Sequence, residues 1–346
     1  MSLAADPNNG QVWVGTFGGL NVYQPATGRF HTYTHDDRDP ASLPSNYVSG
    51  LYVDRQGTLW MDARSNILYR MDVDRNRFIQ YKPKPVKAGD AEQIHAIEQD
   101  GLNDSLIWVG TDRRLFSFNK YRKTFDYNHP PFLDIEQIYA HANGYLYIRD
   151  KSGLITVYRP DTGERVHKIT PQAKWIFGKI IRKSADELWI NCNNGIAVLD
   201  TKDHLVSYPW RNDPAQKKKY EIDLVDRQGR MWSASTAGLK VYDPASTQFS
   251  NYIYETTGAT SPYITQRLVE DTRQEAVFLN ASAGNGVHRF DLRTRDWLHI
   301  PRPKDYPDDL FYGTDLAMLE SGQLLILAEE GIFTLSADGR SMVPHP

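Results

Sequence analysis

The chain repeats one short phrase eight times, and this repeat limits its fold more than any other feature. The clearest copies are Gln-Val-Trp-Val-Gly-Thr at 11–16 and Leu-Ile-Trp-Val-Gly-Thr at 106–111, each followed by a second apolar run. The eight copies are centred on residues 13, 60, 108, 147, 189, 232, 278 and 325. A period of about 40 to 50 residues with short strands inside it is typical of a β-propeller.

One repeat, residues 47–81, shows the expected anatomy of a blade. Residues 47–53 alternate like a short strand, and 58–61, 67–71 and 78–81 form three further apolar runs. Asp54-Arg55-Gln56-Gly57 between the first two runs predicts a turn, because aspartate accepts local backbone hydrogen bonds and glycine supplies a positive φ. Four strands per repeat make one propeller blade.

These patterns predict an all-β fold, a β-propeller of four-stranded antiparallel blades that occupies residues 1–346 as a single domain. Eight repeat units favour eight blades. The first unit retains only Leu3-Ala4-Ala5 of its inner strand, so seven blades stay an open alternative.

Composition narrows the function. The formal net charge is -3, so no global basic field indicates a nucleic-acid partner. Cys192 is the only cysteine, which rules out an intrachain disulfide and a cysteine-based zinc site. The histidines lack metal-ligand spacing, so we predict no metal and no cofactor. No apolar stretch approaches the roughly 18 residues of a membrane span.

The repeat resembles the two-component regulator propeller repeat. The resemblance rests on a strand ending in Asp, then Arg-Gln-Gly, a Leu-Trp-Val-Gly-Thr phrase, Gly-Leu-Asn-Val-Tyr and Phe-x-x-Tyr. The connector Asp39-Pro40-Ala41-Ser42-Leu43-Pro44-Ser45-Asn46-Tyr47-Val48 is also similar to connectors between blades of that family. The resemblance covers nearly all of the chain and is strongest in units 1, 3 and 6.

The resemblance implies a periplasmic sensor portion of a membrane-anchored two-component regulator, as found in glycan-degrading bacteria. The membrane span and kinase of such a protein would lie outside this chain. The implied partners are an oligosaccharide ligand and a second copy or a neighbouring propeller domain.

The candidate binding residues lie in turns expected to share one face, since second-to-third turns and blade connectors meet there and loops carry function on rigid scaffolds. Units 2 to 4 fill these turns with cations where other units have small residues. The predicted ligand-binding residues are Arg64, Arg113, Arg114 and Arg149, supported by Lys151, with Trp175 in the next connector stacking on a sugar ring. The alternative is a solvated rim in which each cation pairs with a neighbouring acid and Trp175 is core.

Three functions follow, in order of preference. The first is a non-catalytic, ligand-sensing propeller that recognises a carbohydrate. The second is a protein-interaction or dimerisation scaffold. The third is an extracytoplasmic polysaccharide lyase or hydrolase. We assign no catalytic residue, because a glycosidase needs two carboxylates across the scissile bond and no spacing selects such a pair.

Overall fold

A computed structural model gives the fold. It describes residues 2–6, 8–16, 18–24, 27, 29–48, 50–62, 66–85, 92–172, 176–193, 195–209, 223–226, 228–235, 238–246, 248–253, 264–281, 286–303, 315–319, 321–328 and 331–345. These residues form 32 strands in eight four-stranded antiparallel sheets and contain no helix. The fold is therefore a β-propeller with eight blades, and the eight-blade prediction is confirmed.

The chain divides into two compact units. The first contains residues 1–190 and 197–207, and the second contains residues 191–196 and 208–346. The prediction of a single domain over residues 1–346 stays a prediction.

Blades 1 to 5 are built in chain order, each sheet running from its first strand to its fourth. Blade 1 consists of β1 Ser2–Ala5, β2 Val12–Gly15, β3 Leu20–Gln24 and β4 Arg29–Tyr33. Blade 2 consists of β5 Gly50–Val53, β6 Leu59–Asp62, β7 Leu68–Asp72 and β8 Arg77–Tyr81. Blade 3 consists of β9 Ile94–Gln99, β10 Leu106–Thr111, β11 Leu115–Asn119 and β12 Thr124–Asp126. Blade 4 consists of β13 Ile135–Ala140, β14 Leu146–Asp150, β15 Ile155–Arg159 and β16 Glu164–Ile169. Blade 5 consists of β17 Phe177–Arg182, β18 Glu187–Cys192, β19 Gly195–Asp200 and β20 Val206–Ser207.

Blades 6 to 8 follow the same order. Blade 6 consists of β21 Leu224–Val225, β22 Met231–Ser235, β23 Gly238–Asp243 and β24 Gln248–Ile253. Blade 7 consists of β25 Ile264–Asp271, β26 Ala276–Ala281, β27 Gly286–Asp291 and β28 Trp297–Ile300. Blade 8 consists of β29 Asp315–Met318, β30 Leu324–Ala328, β31 Gly331–Leu335 and β32 Met342–Pro344.

The repeated tryptophan lies on the second strand of its blade and packs into the core. Trp13, Trp60, Trp108, Trp189 and Trp232 are each at most 2% exposed, as the repeat predicts. Each apolar cluster draws on neighbouring blades; Trp108, for example, packs with Ile135 and Leu146 of blade 4. The second strands therefore form the buried layers on which the turns are held.

The Asp-Arg-Gln-Gly turn is explained by the tryptophan that follows it. Asp54 accepts hydrogen bonds through Oδ1 from the backbone N–H of Gln56 and Thr58, and through Oδ2 from the indole N–H of Trp60 at 3.0 Å. Asp226 repeats this geometry in blade 6, where the indole N–H of Trp232 lies 2.8 Å from Oδ2. One carboxylate thus caps the turn and also satisfies a buried indole that burial would otherwise leave unpaired.

The Gly-Thr pair that ends the phrase has a packing role and a turn role. A Cβ on Gly110 would lie 2.4 Å from Cγ2 of Ile135, so only glycine lets the next blade approach this closely. The Thr111 hydroxyl accepts the backbone N–H groups of Arg113 and Arg114 at 3.1 and 2.9 Å and so shapes the β10–β11 turn.

Candidate functional site

Three chain segments of blades 3 and 4 lie side by side because their backbones are hydrogen-bonded in series. The N–H of Asp134 donates to the carbonyl of Asp112 at 2.9 Å, and the N–H of Lys151 donates to the carbonyl of Asp134 at 2.9 Å. We call residues 112–114, 133–136 and 149–153 the blade 3–4 face. The structure thus places the turn that carries Arg113 and Arg114 near the end of β14, where Arg149 lies.

The Arg114 side chain points inward and is paired with a buried carboxylate. Its Nε and Nη2 each lie 2.9 Å from a carboxylate oxygen of Glu92, which is buried. The guanidinium also lies over the ring of Tyr127, 4.8 Å from its centroid, and donates to the carbonyl of Lys84. A forked contact to a buried carboxylate is strong and specific, so Arg114 ties the β8–β9 connector to the β10–β11 turn.

Arg113 and Lys151 are exposed and have acidic neighbours. The Arg113 Nε lies 3.9 Å from a carboxylate oxygen of Asp112, and the Lys151 Nζ lies 3.6 Å from one of Asp134. Such exposed pairs are worth little, because solvent screens them.

Arg149 is the most unusual cation of this face, because its guanidinium is largely buried and poorly paired. It lies 3.9 Å from a carboxylate oxygen of Glu136 and donates to its neighbour's carbonyl at 3.3 Å. Its Nε is buried without a hydrogen-bond partner among the described residues. Burial lowers the pKa of Arg149, while Glu136 and Asp150 oppose this shift. A desolvated, under-bonded guanidinium suits a carboxylate or sulfate ligand.

Arg64 and Trp175 lie outside the described residues, so their predicted roles stay predictions. Two apolar side chains that sequence reasoning missed are exposed in the connectors that lead into blades 4 and 5. Leu133 is 65% exposed and Ile176 is 57% exposed, and Ile176 lies close to Gly153 at the edge of the face. The sequence feature that could have identified them is an apolar residue in the connector just before the inner strand of a blade.

Glu98 is a second residue that sequence reasoning missed. It lies on the inner strand β9, opposite Trp108, and is partly buried. Burial raises the pKa of Glu98 to about 8, with Arg55 opposing the shift. Burial thus favours the protonated form of this carboxyl, which can donate a hydrogen bond. The sequence feature that could have identified Glu98 is a single acidic residue within the inner strand of a blade.

The described residues contain no group of three histidine, cysteine or acidic side chains placed to hold a metal ion. They also include no helix long and apolar enough to cross a lipid bilayer.

One segment of the chain matches the model of a known protein family. The two-component regulator propeller model matches residues 42–63, which run from the connector before blade 2 to the end of β6. Residues 42–63 thus match one two-component regulator propeller repeat. The resemblance deduced from the sequence is therefore confirmed, and the match covers the Asp54 turn and the Trp60 strand. None of the curated proteins matches the sequence significantly.

Three solved structures with similar folds support the propeller architecture. The chain aligns with the extracellular domain of a proposed one-component system from B. thetaiotaomicron at a TM-score of 0.55 and 15% identity, covering 99% of this chain and 53% of that one. It thus spans about half the length of that domain. The computationally designed Ika8 protein aligns at 0.64 and 15% identity, covering 96% and 94% of the two chains. The C-terminal WD40 domain of Sif2 aligns at 0.65 and 10% identity, covering 100% and 95%. Identities this low establish the shared fold alone.

Proposed function

We propose that this chain is the non-catalytic sensor propeller of a two-component-type signalling protein and that it binds an acidic carbohydrate on the blade 3–4 face. The two-component regulator propeller repeat and the shared fold with a bacterial extracellular domain support the sensor role. They also support a periplasmic location. The ligand is then a glycan that bears a carboxylate or sulfate group.

The observation that carries the ligand proposal is the state of Arg149. Most of the cost of desolvating its guanidinium is already met in the folded protein, yet its Nε has no hydrogen-bond partner among the described residues. An incoming carboxylate or sulfate that reaches the exposed part of the guanidinium gains charge-assisted hydrogen bonds there. Arg113 and Lys151, both exposed, add long-range attraction to the same ligand.

The test is calorimetry with matched neutral and acidic oligosaccharides. An acidic oligosaccharide should bind, and Arg149→Lys should weaken it about tenfold, because lysine keeps the charge but loses the fork. Arg113→Ala should weaken binding less, and affinity should fall as salt rises, since exposed charges are screened over about 10 Å at 0.1 M salt.

Arg75→Ala provides the control, because Arg75 is an exposed arginine in the β7–β8 turn, paired only loosely with Asp72 at 4.0 Å. Its affinity should equal that of the parent. Equal binding of acidic glycans by the parent and by Arg149→Lys would contradict the proposed site. Exclusive binding of neutral glycans would contradict the proposed ligand class.

A protein-interaction scaffold is the second candidate, and exposed Leu133 and Ile176 favour it. Large exposed apolar side chains near a charged rim are typical of protein contacts. Sedimentation analysis of the parent and of Leu133→Ser/Ile176→Ser tests this function. A dimer that the double variant abolishes, with no response to any glycan, would favour the scaffold over the sensor.

A further inference from the structure

A cleft of about 360 Å³ lies between blades 7 and 8. The turns β25–β26, β29–β30 and β31–β32 border it, together with residues of β26, β27 and β28. The charged residues of its lining are Asp271, Arg289 and Asp338. Small-molecule sites in proteins occupy roughly 300–1,000 Å³, so the blade 7–8 cleft has the volume of a site for a compact ligand.

Asp271 is the blade 7 equivalent of the aspartate that binds the buried tryptophan in other blades. In blade 2, Asp54 stands two residues after the cross-strand partner of Trp60. In blade 7, Asp271 stands two residues after the cross-strand partner of Phe278. The two carboxylates therefore start from the same place in their blades, but in blade 7 a phenylalanine stands where blade 2 has its tryptophan.

This exchange leaves one oxygen of Asp271 without a donor. Oδ1 accepts the backbone N–H groups of Arg273 and Gln274 at 2.9 and 3.2 Å, whereas Oδ2 accepts no hydrogen bond from the described residues. Asp271 is only 1% exposed, and it shares with Phe278 the face of blade 7 that packs against blade 8. A buried carboxylate oxygen without a donor is costly, so a ligand that supplies one is favoured.

Lys120 shows what fills the corresponding place between blades 2 and 3, where its Nζ lies 2.7 Å from Oδ2 of Asp54. Lys120 stands three residues after the cross-strand partner of Trp108, the central residue of the blade 3 phrase. In blade 8 the same position relative to Leu325 belongs to Ala337, which lines the cleft. Between blades 7 and 8 the chain therefore keeps the carboxylate but has neither the lysine nor the indole.

The other charged groups near the cleft already have partners. Nη2 of Arg289 lies 3.1 Å from Oδ2 of Asp291, and Arg273 donates to a backbone carbonyl of the β29–β30 turn. Asp338 is exposed and accepts a hydroxyl of its own turn at 2.6 Å. Solvent weakens attraction to an exposed carboxylate. An added cation therefore gains most at Oδ2 of Asp271, which is desolvated and lacks a donor.

We infer that the blade 7–8 cleft binds a small primary amine in its ammonium form, with the ammonium group on Oδ2 of Asp271, in the place that Lys120 fills between blades 2 and 3. The side chains of Gln274 and Gln323 also line the cleft, and their amide oxygens are acceptors for the remaining N–H groups. Met318 is partly buried and offers apolar surface to a short alkyl chain. This site does not depend on the blade 3–4 face and takes a ligand of opposite charge.

Methyl NMR of protein labelled at the methionine methyl carbon tests the inference, because Met318 lies in the cleft. In phosphate buffer at neutral pH, n-butylamine is protonated and should shift the Met318 signal saturably. 1-Butanol and butyrate have a similar chain without the cation, and they should bind at least about tenfold more weakly. Met61 and Met71, which are buried in blade 2, should not move. Met318→Leu assigns the signal.

Substitution of the carboxylate is the direct test of the contact. Asp271→Asn keeps an oxygen for the turn but removes the charge, and it should weaken n-butylamine about tenfold or more. Asp74→Asn is the matched control, because Asp74 is an exposed acid in the β7–β8 turn and its loss should leave the affinity unchanged. Arg149→Lys should also leave the Met318 response unchanged, which separates this site from the acidic-glycan site.

Ala337→Lys tests the site without any added ligand. Ala337 is exposed, and a lysine there stands where Lys120 stands between blades 2 and 3. Ala337→Lys should abolish the response to n-butylamine and should have a higher urea midpoint than Ala337→Met, which has a side chain of similar length and no charge. Asp271→Asn should remove this difference between the two variants.

The inference is overturned if n-butylamine does not shift Met318, if 1-butanol binds as tightly, or if Asp271→Asn binds n-butylamine like the parent. A urea midpoint of Ala337→Lys that is no higher than that of Ala337→Met overturns it as well. An intact Met318 response together with acidic-glycan binding that is unaffected by Arg149→Lys would refute the blade 3–4 site alone.

Discussion

The ion pair between Asp54 and Lys120 gives the sharpest test of how neighbouring blades are joined. Lys120 stands in the β11–β12 turn of blade 3, and its Nζ lies 2.7 Å from Oδ2 of Asp54 in blade 2. The Asp54 side chain is fully buried and that of Lys120 is 6% exposed. Gln56 accepts a further hydrogen bond from Nζ at 2.5 Å.

The expected cost of breaking the pair follows from burial. Removing one partner of a buried ion pair costs about 3–5 kcal/mol, because the other charge stays desolvated. Lys120→Met should lower the free energy of unfolding by about 3 kcal/mol, near the bottom of this range. Asp54 still accepts hydrogen bonds from the Trp60 indole and from two backbone N–H groups. Asp54→Ala should cost about 5 kcal/mol, near the top of this range. It removes the acceptor of the turn's backbone N–H groups and also leaves the charge of Lys120 buried without a partner.

Equilibrium urea unfolding of both single variants and of Asp54→Ala/Lys120→Met measures these values. The double variant should cost clearly less than the sum of the two singles, since no charge is then left buried alone. Lys202→Met is the control, because the Lys202–Asp186 pair is exposed at a similar 3.0 Å, and its urea midpoint should match the parent. Additive single costs, or a Lys120→Met midpoint equal to that of the control, would refute the reasoning.

Three further predictions concern the repeat and pH. Trp232→Ala should lower the free energy of unfolding by about 3–5 kcal/mol, measured in urea, because it opens a cavity at a side chain that is 1% exposed. Gly110→Ala should lower it by about 1–3 kcal/mol, because the new methyl group must displace Ile135; a variant as stable as the parent would show that the close approach is not needed. The raised pKa of Glu98, about 8, means that the folded state holds a proton that the unfolded state has released. Stability should therefore fall as pH rises from about 4.5 to about 8, and Glu98→Gln should remove this part of the slope in urea titrations across that range.

The parts of the structure that the sequence predicts are those governed by local pattern. An apolar run marks each second strand, with a tryptophan in five of the eight, because burial on both faces selects apolar side chains there. The Asp54 turn is predictable for the same reason, since its acceptor, its donors and its glycine all lie within a few residues. Eight repetitions of one local pattern give eight blades without any knowledge of long-range contacts.

The parts that the sequence does not predict are the pairings of charged side chains. Arg114 meets Glu92, 22 residues earlier in the chain, and Lys120 meets Asp54, 66 residues earlier. Nothing in the spacing selects these acids from the many others nearby. Arg113 and Arg114 look equivalent as letters, yet the Thr111-based turn directs one guanidinium into the interior while the other stays exposed.

This difference in partners changes which arginine matters for recognition. Exposure alone would make Arg113 the best candidate to bind a ligand. An exposed side chain, however, must lose bound water and mobility before it holds a ligand, and this costs free energy. Arg149 is already desolvated and positioned, and among the described residues its one acidic neighbour at ion-pair distance, Glu136, stands at 3.9 Å. A ligand carboxylate or sulfate at normal hydrogen-bond distance would therefore gain more at Arg149 than at the more exposed cations around it. This is why we propose Arg149, rather than Arg113, as the anchor for an anionic ligand on the blade 3–4 face.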